Sequence, residues 1–280
     1  MDFNIRSPES SSLQLNEFPL EGKDLKILRR AGSGGAGYVF KIWMNHRFYA
    51  LKMFKFDNPR LLPSNFKGKQ RKYHHNRFFK ECRANASLIS RGLNGRFTPF
   101  CHGWAYVSVE LELEVACRFN VQPFLWDRPR GKENDRVQAI LFDWISGHML
   151  YDVPLTRKLA DQLRSALSGL HSASMAHQDI RAPNILVSRH ENRAYFIDLD
   201  SSTALPNTFF SQEDLAAFQD LDCRNLEIGF GFCQLAEENI VDTERLGLSL
   251  EQIRQEYRTT TRKCDWEWPM PRMRKPSNPP

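Results

Sequence analysis

From Leu25 onward, the chain alternates short apolar runs with turn residues for its first third, then turns to helical spacing. Leu25–Gly32 (LKILRRAG) reads as a strand ending in a glycine-rich turn, Gly37–Trp43 as a second strand, Asn45-His-Arg as a turn and Phe48–Phe56 as a third strand. Together they predict a β-meander. Residues 57–72, with Pro59, Pro63 and Gly68, predict a long loop. Phe78, Cys82, Ala86 and Ile89 then recur at helical spacing, which predicts a helix over 73–90 ended by Gly92. From 104 to 115, Val107, Val109, Leu111, Leu113 and Val115 alternate with Ser108, Glu110, Glu112 and Glu114, which predicts a half-buried strand. Another apolar strand is predicted over 137–142.

After Gly147 the pattern turns helical. Leu155, Leu159, Leu163, Leu167 and Leu170 form one stripe. Short strands at 185–187 and 195–197 follow, then helices at 214–235 and 250–257. Residues 1–23, rich in Ser, Asn, Glu and Pro, read as a flexible arm, and 261–280 as a proline-rich basic tail. A β-rich portion (24–143) and a helix-rich portion (144–260) make a two-lobed α+β chain.

Composition narrows the class without choosing a function. Apolar content of 41% and charged content of 26% suit a water-soluble globular protein. No apolar run reaches membrane-span length, and the N-terminus lacks a secretory apolar core. The 6 cysteines are scattered without a C-x-x-C pair, which reads as reduced thiols in the cytoplasm or nucleus and disfavours a zinc site. The net charge of +6 favours anionic ligands in general. The basic runs Lys67–Lys72 and Arg272–Lys275 read as solvated, since no nucleic-acid-binding signature accompanies them.

The candidate chemistry lies in four segments. Gly32-Ser33-Gly34-Gly35-Ala36-Gly37-Tyr38-Val39 joins two strands, so its backbone amides would close over phosphates. Ala50-Leu-Lys52 on the next strand offers an ammonium beneath that roof. Glu81 is the one acid between Asn58 and Val109, amid ten Lys and Arg, so a Lys52–Glu81 ion pair is expected. His177-Gln-Asp179-Ile-Arg181-Ala-Pro-Asn184 places a carboxylate, a guanidinium and an amide in one loop, and Phe-Ile-Asp198-Leu-Asp200 follows.

In this order the segments resemble the glycine loop, V-A-I-K strand, H-R-D catalytic loop and D-F-G segment of the protein-kinase superfamily, over roughly 25–226. The phrases Cys-His-Gly-Trp and Leu-His-Ser-Ala-Ser-Met-Ala-His-Gln-Asp are similar to small fungal kinase-like proteins. The resemblance implies a two-lobed protein-kinase-like fold with a reduced helical second lobe. It also implies ATP and Mg²⁺ as ligands, with Asn184 and Asp198 on the metal and Asp179, Arg181 and Lys52 in catalytic roles. Asp143 and Ile145 would line a hinge at the adenine, and Asp222 would brace the catalytic loop. The implied activity is Ser/Thr-type phosphoryl transfer to a protein hydroxyl. Asp200 in place of the D-F-G glycine and the missing A-P-E segment keep open a small-molecule kinase of the aminoglycoside or choline type. A nucleotide-binding pseudokinase scaffold is the third alternative.

Overall fold

The computed structural model describes residues 14–20, 22–57, 76–191, 193–207 and 210–231, with isolated positions 233, 240, 241 and 252. The loop expected at 57–72 (apart from Asp57), its basic run, nearly all of the helix expected at 250–257 and the tail lie outside the described residues. The architecture is mixed α+β, a β-rich first half followed by a helix-rich second.

The meander forms as the turn chemistry dictates. Strands β1 (Leu25–Ser33), β2 (Gly37–Met44) and β3 (Arg47–Phe54) pair antiparallel in sequence. Asn45 and His46, both at positive φ (50° and 60°), make the two-residue turn whose twist suits a hairpin. At Gly37 a Cβ would lie 2.0 Å from the Met53 carbonyl oxygen, so only glycine admits that close strand approach. Tyr38, Phe40, Ile42 and Met44 point to one buried face of β2. Strands β4 (Cys101–Tyr106) and β5 (Gln138–Asp143) complete a five-stranded sheet in the order β1-β2-β3-β5-β4.

Helix α1 (Arg77–Ser90) starts where Asn76 accepts a hydrogen bond from the Phe79 amide at 2.7 Å. It seats Phe78 edge-on against Phe54 and Trp104, at ring-centroid distances of 5.3 and 6.0 Å. That packing presents Glu81 toward β3.

The strand expected over 104–115 is a correction. It ends at Tyr106, and helix α2 (Val109–Phe119) follows. Ser108 caps α2 through the Leu111 amide at 3.2 Å, and Glu110 and Glu112 occupy its first turn, where negative charge suits the helix dipole. The apolar–acidic alternation is incidental to burial. Val109 and Leu113 are exposed, whereas Val115 and Ala116 are buried. Glu112 is buried too, because Arg128 clasps both its carboxylate oxygens, at 2.8 and 2.6 Å. A buried ion pair displaced the expected two-residue period.

Within the N-terminal stretch 1–23, residues 14–20 run along the outer edge of β4. The Phe18 amide donates to the Trp104 carbonyl at 2.6 Å and the Trp104 amide to the Asn16 carbonyl at 3.0 Å. Leu15 is buried with Phe54, Phe78 and Ile140. This strap covers backbone groups that an open edge strand would leave exposed.

The second half is built on α3 (Arg157–Ser172), whose buried stripe is Leu159, Ala160, Leu163, Leu167 and Leu170. It packs against α4 (Gln212–Gly231), to which Arg164 ties it through Glu227 at 2.7 and 2.9 Å. Strands β6 (Gly147–Met149), β8 (Ile185–Ser188) and β9 (Ala194–Phe196) form a small sheet, and β7 (Met175–Ala176) pairs with β10 (Thr203–Ala204).

Gly103, at φ 141°, faces the strap, and a Cβ there would lie 2.6 Å from the Asn16 carbonyl oxygen. Replacing Gly103 with Val therefore detaches the strap and strains the backbone by about 1–3 kcal/mol. The expected result is a lower Tm together with faster proteolysis within residues 14–20. Unchanged proteolysis would remove Gly103 as the anchor point.

Candidate functional site

Four elements converge on Lys52. It sits on β3, paired in register with Val39 of β2 and Ile140 of β5. Its ammonium donates to Glu81 Oε2 from α1 and to Asp198 Oδ1 from the segment after β9. The expected Lys52–Glu81 pair is present, with a second carboxylate that joins the two halves of the chain. Burial disfavours charge on Lys52, but Asp198 and Glu81 outweigh it and hold the ammonium well above the ordinary lysine range. Burial pushes the Glu81 carboxyl up to about 7 against the opposing pull of Lys52. For Asp198 burial acts upward too, but contact with Lys52 wins and keeps the carboxyl below its usual range.

Asp198 lies in the left-handed region (φ 69°, ψ 60°), a costly place for a residue with a Cβ, and it opens the 3₁₀ turn Leu199–Ser201. This turn buries Asp200, which accepts from Arg77 Nη1 at 3.2 Å and from the Ser201 hydroxyl at 3.1 Å. Arg77 stands one turn before Glu81 on α1, and Lys80 beside it is lowered to about 8 by burial, against the pull of Asp200. The sequence reading missed Arg77 and Lys80. No local pattern signals them, since Asp200, the acid that Arg77 meets, lies 123 positions away.

The 177–184 loop is held from below and from within. Asp222 on α4, fully buried, accepts the amides of His177 and Gln178 at 2.6 and 2.8 Å, the bracing role expected for it. The His177 ring lies 3.1 Å from the Ile197 carbonyl, and Thr203 donates to Gln178 at 2.8 Å. Asn184 Nδ2 donates to the Asp179 carbonyl at 2.9 Å and to its carboxylate at 2.7 Å, and Arg181 pairs with the same carboxylate at 3.0 Å. Burial raises the Asp179 carboxyl, and Arg181 and His177 oppose the rise.

The remaining expected site residues are distributed as follows. Gly32 and Ser33 end β1, with Gly32 in register with Val39, and the exposed Gly34 amide closes the turn onto the Gly37 carbonyl at 2.9 Å; Gly35 is exposed at its tip. Ala50 lies between Lys41 and Phe142 in the sheet register. The Asp143 amide is taken by the Phe100 carbonyl at 2.8 Å, and its carboxylate faces His102 at 2.8 Å and Arg47 at 3.6 Å. Ile145 is half-buried between β5 and β6. No group of three or more His, Cys, Asp or Glu side chains able to hold a metal occurs among the described residues.

Replacing Lys52 with Met leaves Glu81 and Asp198 without their shared cation. The expected cost is about 3–5 kcal/mol, the scale for removing one partner of a buried pair, read by urea denaturation. A loss below about 1 kcal/mol would mean that the cluster does not hold the halves together.

A family model described as "Kinetochore Sim4 complex subunit FTA2" matches residues 4–190, more than half of the 280-residue chain. The matched region contains Lys52, Glu81, Asp179 and Asn184 and ends before Asp198. This finding overturns the expected identification with protein kinases or small fungal kinase-like proteins. It equally overturns the activity read from that resemblance, namely phosphoryl transfer to protein or small-molecule hydroxyls, and the pseudokinase, kinase, transferase and ATP-binding labels as descriptions of its family. The same charged groups that would serve a phosphate also neutralise one another across three elements, so folding alone is a sufficient reason for them to be together. By this match the chain belongs to the kinetochore Sim4 complex subunit FTA2 family.

Proposed function

We propose that this chain is a structural subunit of a kinetochore protein assembly, acting in the nucleus through protein partners. The family match over 4–190 carries this reading. No helix among the described residues is long and apolar enough to cross a membrane. The architecture is read as two lobes of the protein-kinase type. In support, a five-stranded antiparallel sheet with α1 carries the Lys52–Glu81 pair, and a helical half carries the 177–184 loop and Asp198. In this role the Lys52 cluster is a clasp that keeps one face of the molecule in a single shape for its partners.

Tagged full-length chain is expected to give a nuclear, centromere-associated signal and to co-purify with kinetochore proteins. Asp179→Asn keeps an acceptor for Asn184 and is expected to leave that association unchanged. Diffuse signal with no kinetochore co-purification would overturn the assembly reading.

A second reading concerns the cleft as a resting place for ATP and Mg²⁺ as bound ligands. One observation favours it. Asn184 uses its amide nitrogen on Asp179, and Asp198 uses one oxygen on Lys52, so each keeps one oxygen for another ligand. Two such donors suit Mg²⁺, which takes one or two protein ligands and fills its shell with phosphate and water. Gly32, Ser33, Gly34, Gly35, Gly37 and Val39 would cover the phosphates. Ala50, Asp143 and Ile145 would flank the base, and Lys52, held in place by Glu81, would meet the α- and β-phosphates. A hundredfold excess of MgATP over Kd would add about 2.7 kcal/mol and raise Tm. The rise is expected in wild type and lost in Asp198→Asn. No rise in wild type, or an equal rise in the variant, would exclude the ligand.

A further inference from the structure

The sheet register places an unneutralised group of cations on the same face as Lys52, two rows away toward the open end. In one row Lys26 of β1 pairs with Trp43 of β2 and Phe48 of β3, and in the next Arg29 pairs with Lys41 and then Ala50. A bulge between Ile27 and Arg29 creates the second row. Without that bulge, strict alternation after Ile27 would pair Leu28 with Lys41 and turn Arg29 to the opposite face, beside Phe40.

The result is a like-charge pair directly across two strands, an arrangement that destabilises a sheet unless something answers it. Aromatic rings answer it in part. The Lys41 ammonium lies 3.9 Å from the centre of the Phe48 ring and 4.9 Å from Trp144, and the Arg29 guanidinium lies 5.1 Å from Trp144. Trp144 is fixed by its own hydrogen bond to the Ser146 hydroxyl at 3.2 Å, and Trp43 packs on Phe48 at 4.7 Å. Among the described residues no carboxylate pairs with Lys26, Arg29 or Lys41. Asp143, the acid next to Trp144, is occupied by His102 and Arg47, and Asp24, two residues before Lys26, makes no ion pair with these three cations among the described residues. Burial and the neighbouring Arg29 both press the Lys41 ammonium below its ordinary range, the direction a bound anion would reverse. Lys26 and Arg29 are exposed, and Phe48 keeps 45% of its surface accessible.

We propose that this corner of the sheet, formed by Lys26, Arg29, Lys41, Trp43, Phe48 and Trp144, docks an acidic, Asp/Glu-rich segment of a protein partner. The proposal rests on the assembly reading above and names the chemistry of one contact within it. Carboxylates complete the charge that the chain leaves open, and the rings back the cations, which holds them in place and strengthens each contact. A protein segment is favoured over single-stranded nucleic acid because stacking of bases needs free ring faces, and Lys41 already lies over Phe48 and, with Arg29, over Trp144.

The test uses the full chain and a short fluorescein-labelled Glu-rich peptide, read by anisotropy at low and physiological salt. A single-stranded oligonucleotide of equal charge is run in parallel. Wild type is expected to bind the peptide more tightly than the oligonucleotide. Arg29→Ala with Lys41→Ala is expected to weaken peptide binding about tenfold, or about 1.4 kcal/mol. Removing two exposed cations elsewhere, Arg118→Ala with Lys158→Ala, is expected to leave it unchanged. Equal loss in both double variants, tighter binding of the oligonucleotide through Arg29 and Lys41, or no peptide binding by wild type would each overturn the proposal. If wild type binds no peptide yet still co-purifies with kinetochore proteins, the docking site alone falls. If it co-purifies with none, the assembly reading falls and the partner with it.

Discussion

A buried ammonium is tolerable only when carboxylates surround it, and the arrangement around Lys52 follows from that constraint. Its side chain is 9% exposed and its two partners come from α1 and from the segment after β9. Taking an amine out of water costs several kcal/mol, which pairing must recover. Each partner is in turn positioned by backbone structure far from itself. Glu81 is aimed by the packing of Phe78 on Phe54 and Trp104, and Asp198 by a left-handed residue at the head of a 3₁₀ turn. Losing the cation would leave a buried acid, Glu81, beside a half-buried one, Asp198, with Asp200 nearby to repel both. Order in the sheet half and order in the helical half are therefore coupled through this ammonium, alongside the Arg77–Asp200 pair and the packing of Ala84 and Leu88 in one core with Phe196 and Leu199.

Around this cluster the charges balance. Lys52, Arg77 and Lys80 face Glu81, Asp198 and Asp200 within one contiguous region. Such balance serves folding, because every buried charge has an opposite neighbour. It also explains how the residue set associated with phosphoryl transfer can occur in a family described by its place in a protein complex. The motif specifies a geometry, and chemistry is a further property that the geometry permits without requiring it. The loop at 177–184 makes the same point. Asp222 braces its backbone, and Asn184 and Arg181 both meet one oxygen of its Asp179 carboxylate, which is sufficient reason for those residues to be present.

Much of this was legible in the sequence where one residue type was scarce or one turn was strongly coded. Glu81 stood out because it was the only acid in a basic stretch, and it pairs with Lys52 as expected. The β1–β3 meander followed from its turn residues, and the Leu159–Leu170 stripe from its period. The strand expected through 107–115 failed for a definite reason. Alternation of Val and Leu with Glu carries the β signal only if the acids face water, and Glu112 is buried against Arg128, a partner 16 residues away. The Arg77–Asp200 contact was missed because it spans 123 positions, which no local pattern reports. The docked strap at 14–20 was hidden because both its main-chain hydrogen bonds to Trp104 and the burial of Leu15 against Phe54, Phe78 and Ile140 depend on partners far along the chain. Function was the least legible level, because ligand-type residues and folding-type residues are the same residues in the cluster.

The distribution of charge along the cleft face separates two tasks. At Lys52 the positive charge is cancelled by its neighbours, so the long-range field there is weak. At Lys26, Arg29 and Lys41 no acid among the described residues cancels it, and aromatic rings screen it only at contact distance. A negatively charged partner approaching this face is therefore drawn first to the rim. The sheet bears the cost of that arrangement in the Arg29–Lys41 opposition, created by a bulge that regular pairing would have avoided. A like-charge opposition on the face of these strands turned away from the core residues Ile27, Phe40 and Ile42 is better explained by a binding surface than by folding. In physical terms the interior of this cleft maintains the shape of the molecule, while its mouth carries the charge available for recognition.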